Sequence, residues 1–200
     1  MNKTQKEQVL LLAKKKGVLR PKDLDIKGLA REYLNRLCKE GLLERRERGI
    51  YVIPKLDLGE YQQLIEACKK VPSGIICLLS ALQFHEVTTQ SPHKIWMAVK
   101  NNMRAPKSTT LPLHIIRYSG KAFESGIETY NIKGATLRVY SLAKTVADCF
   151  KHRNKIGIDV AIEALRESRR TKKCSIDDLW FHAKICRVSN VIKPYMEMLT

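Results

Sequence analysis

The chain of 200 residues lacks the features that would place it in or across a membrane. It has no apolar run near the roughly 18 residues that span a bilayer. Its polar start, Met1 to Lys6, has no apolar core of a signal peptide. It also lacks a Ser/Gly-rich tract that would mark a long flexible linker. We therefore expect a soluble cytoplasmic protein with no membrane partner and only short linkers.

The cysteines lack the close spacing of a metal centre. They lie at wide, irregular intervals: Cys38, Cys68, Cys77, Cys149, Cys174 and Cys186. Zinc sites usually start from a closely spaced pair such as CxxC, which is absent. Cys186 and His182 could share a helical face, but no second pair lies near them in the sequence. We expect reduced thiols that act as small hydrophobic side chains, and no metal or cofactor.

Acidic residues are scarce relative to basic ones. The chain has 20 Asp and Glu against 37 Lys and Arg, and its formal net charge is +17. Such a charge attracts polyanions, which include nucleic acids and acidic protein surfaces. The excess is most concentrated in the first 55 residues. Charge alone does not choose between these two kinds of partner.

Three helices are predicted at the start of the chain. Thr4 followed by Glu7 is a capping-box pattern that begins the first helix, and Gly17 ends it. Pro21 suits the first turn of a short second helix. The third helix is predicted over residues 29–39. Its apolar face is assigned to the core: Ala30, Tyr33, Leu34 and Leu37.

A hairpin is predicted after the third helix. Residues 42–45 and 49–53 form two short strands joined by a charged turn, and Pro54 closes the unit. Helices followed by a hairpin in this order are typical of a winged helix-turn-helix, which we predict over residues 1–55. Winged helices also serve as protein-binding modules, so both kinds of partner stay open.

DNA recognition would use the solvated faces of the third helix and the hairpin. A helix fits the major groove, where Arg can pair with guanine and Asn with adenine, while hairpin arginines would lie along phosphates. The predicted groove residues are Lys27, Arg31, Asn35, Arg36 and Lys39. The predicted backbone-contacting residues are Arg45, Arg46 and Arg48. The alternative is an ordinary solvated basic face.

Residues 60–200 are predicted to form a second domain of mixed α+β class, after a short joint at 56–59. Two helices are predicted at 60–70 and 75–84. Strands are predicted at 95–99, 113–118, 126–132 and 135–140, with Lys133-Gly134 turning the last two into a hairpin. Helices follow at 141–152, 158–169, 175–188 and 190–199. The predicted fold class is therefore α+β: a winged helix-turn-helix, then a small sheet with a helical tail.

Several segments of the second domain resemble the AbiEi family, the antitoxins of AbiE-type (type IV) bacterial toxin–antitoxin systems. They are 88–92 (TTQSP), 95–98 (IWMA), 117–120 (RYSG), 159–165, 186–195 and above all 138–157 (RVYSLAKTVADCFKHRNKIG). With the N-terminal domain, the resemblance covers nearly the whole chain. It implies an N-terminal domain that represses its own operon by binding inverted repeats, with two copies on the DNA. It also implies a C-terminal domain that counters a nucleotidyltransferase-like toxin.

An enzymatic alternative would use residues 144–153. Lys144, Asp148 and His152 fall at helical spacing on one face and could bind an anion or move protons. A Lys–Asp pair four residues apart is equally an ordinary helix salt bridge. The sequence has no Walker A loop and no GxSxG motif, and the strand near Glu128 lacks the acidic-x-Lys pattern of a nuclease because Tyr130 and the residues between it and Lys133 are not acidic. We therefore favour the structural interpretation and predict no enzyme activity and no catalytic residues.

Candidate partner-binding residues lie in two regions of the second domain. One is a polar run that could be a partner surface or merely hydrated loops: Thr88, Thr89 and Gln90 with Lys100, Asn101, Asn102 and Arg104. The other comprises Lys144, Asp148 and Arg153. Three functions stay open: an antitoxin and DNA-binding autorepressor, a stand-alone transcriptional regulator, and an enzyme acting on nucleic acid or on a partner protein.

Overall fold

The computed structural model describes residues 4–54, 61–103, 111–132 and 135–198. These residues fall into two compact units. The first contains residues 4–54, 61–72, 111–112, 130–132 and 135–137. The second contains residues 73–103, 113–129 and 138–198. The predicted joint at 56–59 and the predicted turn at Lys133-Gly134 lie outside the described residues.

The architecture is mixed α+β, as the sequence predicts. The helices are α1 (Gln5–Lys16), α2 (Pro21–Asp25), α3 (Glu32–Lys39), α4 (Gln62–Lys70), α5 (Leu78–Phe84), α6 (Lys121–Glu124), α7 (Leu142–Lys151), α8 (Arg153–Ile156), α9 (Ile158–Arg170), α10 (Ile176–Cys186) and α11 (Ser189–Glu197). The strands are β1 (Val18–Leu19), β2 (Glu44–Glu47), β3 (Ile50–Val52), β4 (Ile75–Ile76), β5 (Ile95–Lys100), β6 (Leu113–Tyr118), β7 (Ile127–Ile132) and β8 (Ala135–Tyr140). Across the described ranges, no helix is long and apolar enough to cross a bilayer.

Helix α1 begins and ends where the sequence predicts. The Thr4 hydroxyl accepts the Glu7 backbone N–H at 3.3 Å, and the Glu7 carboxylate accepts the Thr4 backbone N–H at 3.0 Å. These reciprocal bonds satisfy donors that the first turn leaves unpaired. Gly17 ends the helix with φ +67°, and Pro21 is the first residue of α2. The helical part of the first unit fits a helix-turn-helix.

Helix α3 begins at Glu32, later than predicted. Arg31 is its N-cap residue, and the preceding chain turns through Gly28 at φ +64°. This turn directs Leu29 into the core and leaves Ala30 exposed, so the predicted burial of Ala30 is wrong. The other residues assigned to the apolar face agree better with the structure, because Leu34 and Leu37 are buried and Tyr33 is half-buried.

The first unit contains a small antiparallel sheet in the order β1-β3-β2. Val18 pairs with Val52, and Arg45 pairs with Tyr51 across the hairpin. The register shifts between Arg45 and Glu47, which displaces the first strand of the hairpin from its predicted bounds. Helix α4 packs against β1 and β3, so it belongs to the first unit although it lies within the predicted second domain.

The second sheet has the order β6-β5-β4-β8-β7. All four predicted strands are present, as β5 to β8. Strand β4 is additional: it pairs antiparallel with β5 and parallel with β8. Its residues Ile75 and Ile76 were predicted to begin a helix, because a short apolar run does not separate a buried strand from a buried helix. The helix that follows, α5, begins at Leu78.

Helix α7 forms the centre of the second unit. Every residue from Leu142 to Phe150 is buried, and α5, α9, α10 and α11 pack around the helix. The Ser141 hydroxyl caps its start by accepting the Lys144 backbone N–H at 3.3 Å. Ser175 caps α10 in the same way, by accepting the Asp178 backbone N–H. A helix buried on all sides must satisfy any polar side chain that it carries from within the core.

Helix α7 carries one buried ion pair. The Lys144 ammonium lies 2.5 Å from the Asp148 carboxylate, and both side chains are fully buried. The ammonium also lies 4.4 Å from the ring centre of Tyr140 and 4.8 Å from that of Tyr118. The second carboxylate oxygen of Asp148 accepts the Cys186 thiol at 3.2 Å. The salt-bridge interpretation of this spacing is therefore confirmed.

Gly126 lies so close to Lys144 that a larger residue does not fit at this position. It has φ +70°, and a Cβ there would lie 2.7 Å from the Lys144 Cβ and 2.9 Å from the His182 Cε1. We expect Gly126→Ala to destabilise the second unit by about 1–3 kcal/mol from this crowding, in addition to the strain at positive φ. Denaturant unfolding followed by tryptophan fluorescence measures this, because Trp96 and Trp180 both lie in the second unit.

Gly41→Ala is the matched control. Gly41 has φ +71°, but a Cβ added there would meet no atom within 4 Å. Gly41→Ala should therefore lose only the stability that the strain at positive φ costs, and unfolding followed by circular dichroism measures this loss. Equal losses for the two substitutions would show that the contact with Lys144 and His182 does not limit this position.

Candidate nucleic-acid interface

All eight predicted DNA-contacting residues are exposed, and all lie in the first unit. Asn35, Arg36 and Lys39 lie on α3, and Arg45 and Arg46 lie on β2. Lys27, Arg31 and Arg48 lie in the turns next to α2, α3 and β3. The first unit therefore presents the predicted residues to solvent, where a polyanion could reach them.

An open cleft of about 400 Å³ in the first unit collects further basic side chains. Its lining residues are Arg20, Pro21, Lys22, Arg31, Arg48, Gly49, Ile50, Lys69 and Lys70. We call this the first-unit cleft. Two of its cations, Arg31 and Arg48, were predicted, whereas Arg20, Lys22, Lys69 and Lys70 were missed. The Lys69-Lys70 pair was visible in the sequence, but its helix was assigned to the other domain.

Asp23 connects the elements around this cleft. Its carboxylate accepts the Arg20 backbone N–H at 2.8 Å, the Lys16 ammonium at 2.5 Å and the Lys69 ammonium at 3.4 Å. Burial raises the pKa of Asp23, but the bonds from Lys16 and Arg20 and the charge of Lys69 outweigh it, so this pKa lies below its ordinary value. Burial also lowers the pKa of Lys69. One carboxylate therefore joins α1, α2 and α4.

Arg31 differs from Asn35 and Lys39 in being bound to an acidic side chain. Its guanidinium makes two bonds to the Asp25 carboxylate, Nε at 2.7 Å and Nη2 at 2.5 Å. These bonds hold the pKa of Asp25 below its ordinary value. Arg31 is the N-cap residue of α3 and lines the first-unit cleft.

The remaining basic residues differ in their partners. Arg36 lies 3.4 Å from Glu40, and Arg46 lies 3.4 Å from Glu44. Within the described ranges, no ion pair or side-chain hydrogen bond involves Lys27, Asn35, Lys39, Arg45 or Arg48. A cation without an acidic partner is available to a phosphate without first breaking a salt bridge. These five residues are therefore the most accessible part of the predicted interface.

The polar run of the second unit is partly occupied by local contacts. The Thr89 backbone N–H donates to Glu163 at 3.4 Å, and the Gln90 backbone N–H donates to the Thr88 hydroxyl at 3.1 Å. Lys100 is exposed and lies 3.1 Å from Glu124. Arg104, the last candidate of this run, lies outside the described residues. The exposed side chains of Thr89 and Gln90 stay candidates for a partner surface.

The structure corrects the prediction that Lys144 and Asp148 are candidate partner-binding residues. Both are fully buried, so neither can form a surface for a partner protein or meet a substrate directly. Their spacing on α7 gave no sign of this, because an inward-facing and an outward-facing pair have the same sequence. Arg153 is half-buried, and its guanidinium donates to the Phe150 carbonyl at 2.9 Å. Among the described residues, no three His, Cys, Asp or Glu side chains group as metal ligands.

Two comparisons with known proteins give matches. Residues 7–54 match a family described as "Transcriptional regulator, AbiEi antitoxin", which confirms the resemblance over that segment. The fold is similar to the crystal structure of the RV2827C protein from Mycobacterium tuberculosis, with a TM-score of 0.61 and 13% identity over 92% of this chain and 72% of that one. No curated protein matches the chain significantly. The family match supports a role as an antitoxin or transcriptional regulator.

The pKa of Asp23 predicts a pH-dependent stability of the first unit. Asp23→Ala should destabilise this unit by about 1–3 kcal/mol at neutral pH, because it removes the acceptor of three hydrogen bonds. Because the pKa of Asp23 is lowered in the folded state, its carboxylate stabilises the fold at pH values above 3.8, the ordinary pKa of this group. This stabilisation is lost as the pH falls through the pKa of the folded state. The difference between parent and variant should therefore shrink below pH 3.8.

Urea unfolding followed by circular dichroism measures this difference, with the tryptophan transition of the second unit as an internal reference. Asp25→Ala is the control, because Asp25 lies on the same helix and pairs with Arg31 at the exposed surface. It should change stability little. A difference between parent and Asp23→Ala that grows on acidification would contradict the assigned role.

Proposed function

We propose, from the match of residues 7–54 to AbiEi antitoxin regulators, that the first unit is a winged helix-turn-helix that binds operator DNA and represses its own operon. One observation carries the proposal. The exposed cations Lys27, Lys39, Arg45 and Arg48 have no acidic partner in the described residues and lie in the matched segment. Such residues favour a polyanionic partner over a neutral one.

The two parts of the interface would do different work. Helix α3 would lie in the major groove, where Asn35 can pair with adenine and Lys39 with guanine. Arg45 and Arg48 on the hairpin would lie along phosphates and fix the register. Two copies on an inverted repeat would place two such helices in successive grooves.

We propose that the second unit is the antitoxin part and counters a nucleotidyltransferase-like toxin by binding it. The segment with the strongest resemblance, 138–157, contains α7, which is buried from Leu142 to Phe150. A buried helix supports the fold and does not itself meet a partner. Toxin contacts are therefore better sought among exposed candidates such as Thr89 and Gln90. A catalytic mechanism would need groups other than Lys144 and Asp148.

Substitutions in the two parts of the interface should have different effects on DNA binding. Arg48→Gln should weaken binding to operator and random DNA alike and reduce the salt slope by about one unit, because it removes a phosphate contact. Asn35→Ala should cost roughly 1–3 kcal/mol on the operator and little on random DNA, because it removes a base contact. Fluorescence anisotropy over a range of salt concentrations measures both effects.

Arg166→Gln is the control for charge, because Arg166 is an exposed arginine in the second unit. It should leave operator affinity and the salt slope close to those of the parent. If Arg48→Gln and Asn35→Ala both bind like this control, α3 and the hairpin do not form the interface.

Repression and toxin neutralisation should be separable in the full chain. We expect the double variant Arg45→Gln, Arg48→Gln to lose repression of a reporter fused to its promoter but to restore growth of cells that express the adjacent toxin gene. The physical reason is that both arginines belong to the first unit and not to the unit proposed as the antitoxin part. Growth curves and reporter activity are measured in the same strains.

The parent chain sets the limits of this experiment. A toxic neighbour that even the parent chain fails to neutralise would favour the alternative, a stand-alone transcriptional regulator. Loss of neutralisation together with repression in the double variant would contradict the division of roles between the two units.

A further inference from the structure

The second unit contains an open cleft of about 850 Å³ that the proposed function does not use. Four basic side chains line it, which we call the cleft cations: Lys121, Lys151, Arg153 and Arg187. They come from separate parts of the chain, namely the start of α6, the junction of α7 and α8, and the end of α10. All lining residues belong to the second unit, so the cleft is independent of the DNA interface proposed above.

The charge of this cleft is uncompensated within the described residues. No acidic side chain lines it, and no ion pair involves any of the cleft cations. Some other cations of the same unit are paired, namely Lys100 with Glu124, Arg170 with Glu167, Lys173 with Glu86 and Lys193 with Glu197, whereas exposed cations such as Arg166 and Lys172 are not. Convergent unpaired cations repel one another, so an anion in the cleft would relieve an unfavourable interaction.

Apolar residues also line the cleft, and we call them its apolar side. Ala122, Ile185, Val188 and Val191 line it together with the cations. Ligand sites of this size typically combine apolar walls with a few placed polar groups. A ring could pack on the apolar side while a phosphate group meets the cations. A backbone phosphodiester carries a single charge, whereas a terminal phosphate or a triphosphate carries more and better matches four cations.

We propose that this cleft binds a nucleotide through its terminal phosphate groups. The source of the phosphate can be a free nucleoside triphosphate or the 5′-phosphorylated end of a nucleic acid strand, since both present the same chemistry. The cations would hold the phosphates and the apolar side would hold the base or sugar.

The cleft is built for binding and has no activated nucleophile. Its one thiol, Cys186, donates to the buried Asp148 carboxylate at 3.2 Å. Burial and the charge of Asp148 raise the pKa of Cys186 to about 12, so the thiol stays protonated near neutral pH. The proposal therefore contains no covalent step.

Arg187 gives a variant that separates ligand binding from stability. It follows α10 in the left-handed conformation, with φ +60° and ψ +42°. Glycine adopts this conformation more readily than arginine. Arg187→Gly should therefore unfold at the same or a higher temperature than the parent, yet bind nucleotide more weakly. A residue that serves only the fold would not show this combination.

Calorimetric titration of the full chain with adenosine and guanosine triphosphate tests the proposal. We expect binding by the parent chain, and affinity about tenfold weaker in Lys151→Gln and in Arg187→Gly, because each loses a charge-assisted bond. Strands with a 5′-phosphate and a 5′-hydroxyl distinguish the source. Tighter binding of the phosphorylated strand, with no binding of triphosphates, would assign the site to strand ends.

Lys172→Gln and Arg166→Gln are matched controls, because both residues are exposed cations of the second unit that do not line the cleft. They should keep the affinity of the parent. Equal losses in cleft and control variants would show general charge attraction and overturn the proposal. So would the absence of binding by the parent to both triphosphates and the phosphorylated strand, or unchanged affinity in the cleft variants.

Discussion

The buried pair of Lys144 and Asp148 is the interaction on which the second unit depends. Transferring two charges out of water costs several kcal/mol per ion, and their attraction offsets this only when the remaining polar groups are satisfied. Here the satisfaction comes from outside α7: Tyr118 and Tyr140 present their rings to the ammonium, and Cys186 donates to the carboxylate. The pair therefore joins β6, β8 and α10 to one helix, and correct packing of all three is a condition for its stability.

The first unit uses a carboxylate in a different way. Asp23 is nearly buried, but its partners Lys16 and Lys69 keep part of their side chains in water. The desolvation cost is correspondingly smaller, and the contribution is screened more by salt. The carboxylate holds α4 against the short helices while leaving the neighbouring cations of the first-unit cleft facing solvent. Acids in this unit thus pair with three cations of the cleft, Arg31, Lys69 and Lys70, and leave Arg48 without an acidic partner in the described residues.

Local signals predicted most of the fold. The capping box at Thr4 and the serine caps at Ser141 and Ser175 act within a few residues, so the sequence carries them directly. The failures involve information from distant residues. Strand β4 forms because β5 and β8 supply its hydrogen bonds. The residues Ile75 and Ile76 alone do not predict a strand.

The same limit applied to the candidate sites. The exposure of Asn35, Arg36 and Lys39, which are predicted to contact DNA, followed from the helical pattern of α3, but the salt bridge of Arg31 with Asp25 depended on the turn between them. The sequence suggested that Lys144 and Asp148 lie at the surface, because oppositely charged residues four apart on a helix are usually exposed. Nothing in the sequence indicated that Arg187 and Lys121 belong to one site, since they are far apart in the chain and are brought together only in the folded second unit, where both line the same cleft.

The distribution of acids, more than the number of bases, defines where this protein can bind an anion. With a formal net charge of +17, many cations must lie at the surface, and most of them are unspecific. Pairing removes some of these from consideration, as Glu124 does for Lys100 and Glu167 for Arg170. Among the described cations without an acidic partner, Lys27, Lys39, Arg45 and Arg48 lie on α3, on the hairpin or in the turn after α2, and the four cleft cations line one cleft of the second unit. Others, such as Arg166 and Lys172, are exposed outside these surfaces. A helix suits the groove of a nucleic acid and a basic cleft suits a small anion, so the two surfaces favour two different ligands.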